Sequence, residues 1–372
     1  MYKFDVIRKG EENGVGTLFA LETSRGTKIF GLPTLNFYGG DWDLGPTWNY
    51  LIVSGNLTLF DTGRRGEGKA LMEMIAKVGY DPKELHRVIV SHGHEDHDGG
   101  LSEIVAGTGA NLAAHGIYGR LISYYSGAYL PEGVKTHFPA SCWHCIMPDS
   151  FSSLHCMEYH SERSSLEVSI PIEDGSSLDG GALQFCHIPG HAPDSVALLV
   201  DGEVLLCGDT VLPEITPHPS REASYCLTRH VLPEQYSREN ALYGLKAYIR
   251  SIKKLCKWID YEVTTLPAHR LYYMGCWNWI NLRERVTEII DHHIERCKHI
   301  LSLINEGSNT VDQIARGHFE PSMLKGAGMG MARNEIHSHL ELLEATGDVK
   351  WADGEHLECG KTYQFEKSIR LL

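Results

Sequence analysis

Ser91-His92-Gly93-His94-Glu95-Asp96-His97-Asp98-Gly99-Gly100 follows a short apolar run, 87–91, and carries four metal-ligating side chains within six residues. Alternate residues on an extended segment project to the same side, so His92 and His94 face one way. Asp96 and His97 lie where the chain turns into a helix and point toward a neighbouring position. Imidazole nitrogen and carboxylate oxygen suit a borderline divalent ion such as zinc. A lone histidine among the 21 in this chain reads as a surface or core residue. Four ligands in one segment read as a metal site.

The segment cannot complete a metal centre alone, and three further residues occupy the right context. His191 follows Ile188-Pro189-Gly190, Asp209 follows the apolar run Val204-Leu205-Leu206-Cys207-Gly208, and His269 follows Thr265-Leu266-Pro267-Ala268. Each is a polar group on a loop after a buried strand. His115 and His187 also sit at or after strands and read as structural.

The surrounding chain alternates short strands and helices. Residues 50–60 form two apolar runs around Gly55-Asn56 and predict a hairpin. Leu71, Ile75 and Val78 repeat at helical spacing within 68–78. Strands are predicted at 110–115, 166–172, 182–188, 196–200, 203–206 and 262–266, and one long amphipathic helix at 238–259. Residues from about 127 to 163, rich in Ser, Cys and His, interrupt the pattern and read as an insertion or lid. From 277 the pattern turns helical, with a helix over 277–305 and capping-box spacing at Thr310 and Gln313. A further helix is predicted at 333–346, and a wing pairs 348–351 with 361–365.

The motif His92-x-His94-x-Asp96-His97 resembles the signature of the metallo-β-lactamase superfamily, and the other motifs occur in that family's order over roughly residues 15–275. The resemblance implies an α/β fold, the αββα sandwich, as a catalytic domain at 1–276. It also implies two divalent metal ions, most simply zinc, with iron or manganese as alternatives. His92, His94 and His191 would hold one ion; Asp96, His97 and His269 the other; Asp209 would bridge them. Asp61, in Phe60-Asp61-Thr62-Gly63, would orient a ligand from behind the metal. The region 277–372 resembles the small winged-helix domain of a glyoxalase II-like branch, which includes bacterial hydrolases and a mitochondrial single-strand endoribonuclease.

That centre implies hydrolysis. Two ions sharing a water lower its pKa and yield a hydroxide able to attack a carbonyl carbon or a phosphoryl phosphorus, with Asp96 placed to relay the proton. The leading expectation is a small-molecule ester, thioester or lactone. A phosphodiesterase or single-strand endoribonuclease is the alternative, and an iron-dependent oxidoreductase a further one. Residues 209–238 leave no room for the extra domain of nucleic-acid-processing relatives. Asp96-His97 also departs from the glutamate-containing pattern of flavodiiron proteins. Phe60-Asp61-Thr62-Gly63 resembles an aspartic protease turn, but no second Asp-Thr-Gly exists to share a proton.

Bulk properties agree. The 372 residues are 42% hydrophobic with a net charge of -14, which argues against nucleic acid and anionic lipid as partners. Within 291–372, nine Lys and Arg face thirteen Asp and Glu, and Glu335, Glu341 and Glu344 fall on the presumed recognition helix. That module is therefore expected to cover the active-site mouth or to mediate homo-oligomer formation. The start of the chain carries no basic-then-apolar segment and no run long enough to span a bilayer, so a cytoplasmic location is expected. The ten cysteines are expected to be reduced. Cys142, Cys145 and Cys156 form an irregular cluster that could hold a structural zinc. Arg270, Tyr272 and Tyr273 could orient a substrate carboxylate or phosphate. Gly326 to Gly330 reads as a flexible connector.

Overall fold

Apolar runs without polar interruption predict strands buried on both faces, and the layering follows from them. The computed structural model describes residues 3–36, 43–126, 153–326, 328–360 and 362–372. Eight strands form one sheet in chain order: β1 (Lys3–Arg8), β2 (Leu18–Glu22), β3 (Lys28–Thr34), β4 (Thr47–Val53), β5 (Leu57–Phe60), β6 (Leu85–Ile89), β7 (Asn111–His115) and β8 (Ile170–Ile172). The first five are antiparallel neighbours, and β5 to β8 run parallel. A second sheet contains β9 (Ser177–Leu178), β10 (Leu183–His187), β11 (Val196–Val200), β12 (Val204–Leu206) and β13 (Thr264–Leu266), with only β12 and β13 parallel.

Parallel neighbours need crossovers, and helices supply them. α1 (Gly68–Lys77) joins β5 to β6. α2 (Glu95–Asp98) and α3 (Leu101–Thr108) join β6 to β7, and α4 (Gly116–Ser126) and α5 (Ser153–Arg163) lie between β7 and β8. α6 (Ala223–Thr228), α7 (Glu234–Ser237) and α8 (Leu245–Trp258) lie between β12 and β13. Alternation then builds three apolar layers. Trp48, Tyr50 and Ile52 of β4 meet Val196, Leu198 and Val200 of β11 between the sheets. On the outer side of the first sheet, Leu51 and Val88 pack with Leu71 and Ile75 of α1. Ala197, Leu199 and Leu205 on the outer side of the second pack with Ile249, Ile252 and Leu255 of α8. The result is a helix–sheet–sheet–helix sandwich.

After the small pair β14 (Tyr272–Tyr273) and β15 (Cys276–Trp277) come α9 (Leu282–Asn305), α10 (Val311–His318), α11 (Gly328–Ala345), the hairpin β16 (Val349–Trp351) and β17 (Leu357–Cys359), and α12 (Phe365–Leu371). Their apolar residues, Val286, Ile300, Ile336, Leu343 and Ile369 among them, join the layer outside the second sheet without a break. The capping box at Thr310 and Gln313 is present.

Several predicted elements are corrected. The helix at 238–259 is only α8. Asn240 Oδ1 accepts from the Leu242 and Tyr243 amides, and Gly244 has φ 93, so a turn replaces the first two helical turns. The second strand of the wing is 357–359 rather than 361–365, because Asp353 Oδ1 accepts from Glu355 N and His356 N and closes the turn early. The strand at 166–172 shrinks to β8, and the helix at 277–305 begins at Leu282, with Asn281 as its cap. Gly328 and Gly330 belong to α11, so the 326–330 stretch is not a connector throughout. Cys142 and Cys145 lie outside the described residues, as does the Cys156 side chain.

Candidate metal centre

Every candidate ligand, and Asp61 behind them, follows the carboxyl end of a strand. Asp61 comes after β5, the histidine motif after β6, His191 after β10, Asp209 after β12 and His269 after β13. Those ends share one edge of the sandwich, and the structure brings all seven candidate ligands together there. His92, His94 and His191 form one group, and Asp96, His97, Asp209 and His269 the other; within each, the ligand atoms lie within 4.8 Å of one another. His92 Nε2 is 3.0 Å from His94 Nδ1. Asp209 stands between the groups. Its Oδ1 lies 3.4 Å from His97 Nε2 and 3.2 Å from His269 Nε2, and its Oδ2 lies 3.5 Å from His191 Nε2. Asp96 Oδ2 is 3.2 Å from His269 Nε2. His94 is exposed and marks the open side of the centre.

The donor set fits metal ions. His97 Nε2, His191 Nε2, His269 Nε2 and Asp209 Oδ1 are buried, converge on the centre and, among the described residues, make no well-formed hydrogen bond. Buried polar atoms are normally satisfied, and divalent cations would satisfy all four. Burial alone would push the Asp209 carboxyl up, but the facing His269 and His97 imidazoles hold it well below its usual range. Burial would push His269 down, yet Asp209 and Asp96 raise it to about 9.

Behind the ligands, the outer ring nitrogens are fixed. His97 Nδ1 donates to Asp61 Oδ2 at 2.9 Å, His191 Nδ1 to the His218 carbonyl at 2.7 Å, and His269 Nδ1 to the Pro46 carbonyl at 3.3 Å. These bonds select the tautomer that leaves Nε2 free for a metal. Asp61 is fully buried and also accepts from Ser91 N at 2.7 Å and Ser91 Oγ at 2.8 Å. The close-packed glycines of the motif explain its ending. A Cβ on Gly99 would fall 2.2 Å from Arg65 N, and one on Gly100 2.4 Å from the Thr62 carbonyl oxygen.

Sequence reasoning missed several supports. Asn36 Nδ2 donates to Asp96 Oδ2 at 3.1 Å, and Asp194 Oδ2 accepts from Gly93 N at 2.9 Å. Asp98 accepts from Tyr118 Oη and Arg163 Nη1, each at 2.9 Å, and from Tyr159. The last two come from α5, so the end of the predicted insertion is built into the support of the motif. Asp98 within the motif was the available signal; Asn36 and Asp194 had none. Arg270 and Tyr273 are both held by Asp43, while Tyr272 is buried in the sandwich core.

His115 and His187 belong to neither ligand group. Their rings stack at 3.9 Å, and His187 Nε2 donates to the Pro193 carbonyl at 2.8 Å. Burial lowers His115 to about 3 and His187 to about 4, whereas the unfolded chain takes up these protons near pH 6.5. Below that pH the unfolded state binds more protons, so stability rises with pH and is lost on acidification from about 6.5 toward 3. The urea midpoint should therefore fall between pH 7 and pH 5, and fall less steeply in His187→Gln; equal slopes would refute the assignment.

Among the described residues a third convergence, His293, Glu335 and His339, is buried between α9 and α11. Burial would raise the Glu335 carboxyl, but the paired Arg296 guanidinium brings it down to about 2. His339 Nδ1 donates to the Glu335 carbonyl at 2.7 Å, and His293 Nδ1 faces His339 Nε2 at 2.9 Å. A dication beside that guanidinium would add uncompensated buried charge, so the cluster reads as an ion-pair network.

The sandwich and the two residue groups define a class first, that of metal-dependent hydrolases in general. The sequence model of the Metallo-beta-lactamase superfamily matches residues 42–271, and the chain belongs to that superfamily. Solved structures share the fold. A metallo-beta-lactamase family protein from Thermus thermophilus is 22% identical, with a TM-score of 0.64 over 89% of this chain and 98% of that one. A beta-lactamase domain protein from Burkholderia ambifaria is 18% identical, with a TM-score of 0.63 over 96% and 99%. The second alignment extends past residue 271 into the C-terminal helices. No curated protein matches the chain. Among the described residues, no helix is long and apolar enough to cross a membrane.

Proposed function

We propose that the chain is a binuclear hydrolase that cleaves a small-molecule ester, thioester or lactone, with zinc as the preferred metal and iron or manganese as alternatives. The observation that carries this reading is the placement of Asp209, whose two carboxylate oxygens face different ligand groups. Two bound divalent ions would polarise the scissile carbonyl and lower the pKa of an attacking water.

The chain's own residues supply the rest. His92, His94 and His191 would hold one ion, and Asp96, His97 and His269 the other, with Asp209 common to both. Asn36 Nδ2 pins Asp96 Oδ2, leaving Asp96 Oδ1, 3.7 Å from His97 Nε2, free to take the proton of the attacking water and return it to the leaving group. The exposed edge at His94 gives substrate its approach. A net charge of -14 favours a small uncharged or cationic substrate over a nucleic acid. The helices and hairpin after residue 277 fit a winged-helix-like module of a glyoxalase II-like branch, used here for packing rather than DNA contact, in a cytoplasmic enzyme.

Elemental mass spectrometry on protein purified without chelator or affinity tag should find two ions per chain. The loaded protein should turn over thioesters or lactones faster than an aryl phosphodiester, and stripping the metal should abolish turnover and lower the melting temperature. No bound metal after supplementation would overturn the reading. A phosphodiester preferred over every acyl substrate would replace it with the phosphodiesterase alternative.

A further inference from the structure

The residues that hold His191 in place are themselves held from far along the chain. The segment 218–223 grips the turn that carries His191 at two points. The His218 carbonyl accepts from His191 Nδ1 at 2.7 Å, and Ser220 donates from both N and Oγ to the Gly190 carbonyl, each at 2.7 Å. Backbone in a loop has no ladder to fix it, so its geometry depends on outside partners. Gly244 N donates to Ser220 Oγ at 3.3 Å, and α11 supplies the partner for the two amides where the segment enters α6. Glu341 Oε2 accepts from Glu222 N at 2.6 Å and Oε1 from Ala223 N at 3.2 Å, with Arg221 Nε 3.8 Å from the same carboxylate. Six residues earlier on α11, Glu335 Oε2 lies 3.9 Å from His218 Nε2.

This arrangement explains the charges on α11. Glu341 is taken up by segment 221–223, and Glu335 by Arg296 of α9 and by His218; of these two and Glu344, all expected from the sequence to repel phosphate, only Glu344 is exposed. A partly buried carboxylate that accepts two backbone N–H groups is a directional clamp: its bonds are charge-assisted, and both oxygens are committed.

We propose that Glu341 is a positioning residue for the three-histidine group, clamping segment 218–223 so that the His218 and Gly190 carbonyl contacts hold His191 toward the metal. This rests on the two-ion reading of the centre. The other group is braced separately, by Asp61 behind His97 and by the Pro46 carbonyl behind His269. The clamp therefore acts on one ion and not on both.

The test is metal retention by the full-length, zinc-loaded protein against a graded competing chelator. Wild type keeps two ions per chain until high chelator. Glu341→Gln is expected to release one ion at about tenfold lower chelator, the lower end of what losing a bond behind a ligand does to metal affinity, and to keep the second at wild-type resistance. His191→Ala should lose the same ion, and adding Glu341→Gln to it should change nothing more. Ser220→Ala, which loosens the same segment from its other side, should repeat the single-ion loss if Glu341→Gln folds poorly. Glu344→Gln should match wild type. Wild-type retention of both ions in Glu341→Gln, or equal weakening of both, would overturn the clamp. Wild type without two ions would instead overturn the reading of the centre, and the clamp with it.

Discussion

Asp209→Ala is expected to lower kcat/KM by at least about a thousandfold, roughly 4 kcal/mol of transition-state stabilisation, and to release both ions. The reason lies in the distances. Asp209 meets His97 and His269 through Oδ1 and His191 through Oδ2, at 3.2–3.5 Å. Removing it leaves each group without the carboxylate it shares, and would leave no fixed negative charge between the two ions of the proposed centre. The fold should survive, because no backbone group among the described residues depends on that side chain. In chelator, variant and wild type should melt at similar temperatures, so lost activity cannot be ascribed to unfolding. Normal turnover or two retained ions in the variant would sink the assignment.

Asp61→Ala should harm stability and metal binding together. Its carboxylate is fully buried and accepts three donors: Ser91 N, Ser91 Oγ and His97 Nδ1. Each buried donor left without a partner costs about 1–3 kcal/mol, so a loss of roughly 3 kcal/mol or more is expected in the urea midpoint. Alanine must also adopt φ 64, a left-handed backbone that Asp and Asn tolerate better. Asp61→Asn separates the two effects. It keeps the backbone but presents an amide with one acceptor oxygen to three donors, so it should be milder in urea while still weakening the ion beside His97 by about ten- to a hundredfold. Equal metal affinity in Asp61→Asn and wild type would remove Asp61 from the centre.

The residues of the centre were readable because their signals are local. His92, His94, Asp96 and His97 sit in one segment, and His191, Asp209 and His269 each follow an apolar strand. The layering was readable too, since β11 and β12 are apolar on both faces. What escaped was set by contacts between distant segments. Asn36, Asp194 and Glu341 have ordinary neighbours in sequence, and only folding brings them to Asp96, Gly93 and Glu222. The helix at 238–259 failed for a different reason. Its apolar spacing is genuine, but Leu242 and Tyr243 pack with Ile117 and Leu121 of α4 rather than on the α8 face, and Asn240 supplies a competing turn. The wing failed through one aspartate, Asp353, whose side chain closes the hairpin sooner than the apolar pattern suggests.

The Glu341 contact with Glu222 joins residues 119 positions apart, and that separation has a meaning in time. At roughly 5–20 residues per second of synthesis, about ten seconds pass between the two residues leaving the ribosome. The histidine motif and His191 emerge earlier still. A nascent chain thus presents most of the candidate ligands well before α11 can steady His191. Late closure by this distal helix would leave the three-histidine group the weaker trap until α11 has emerged and docked.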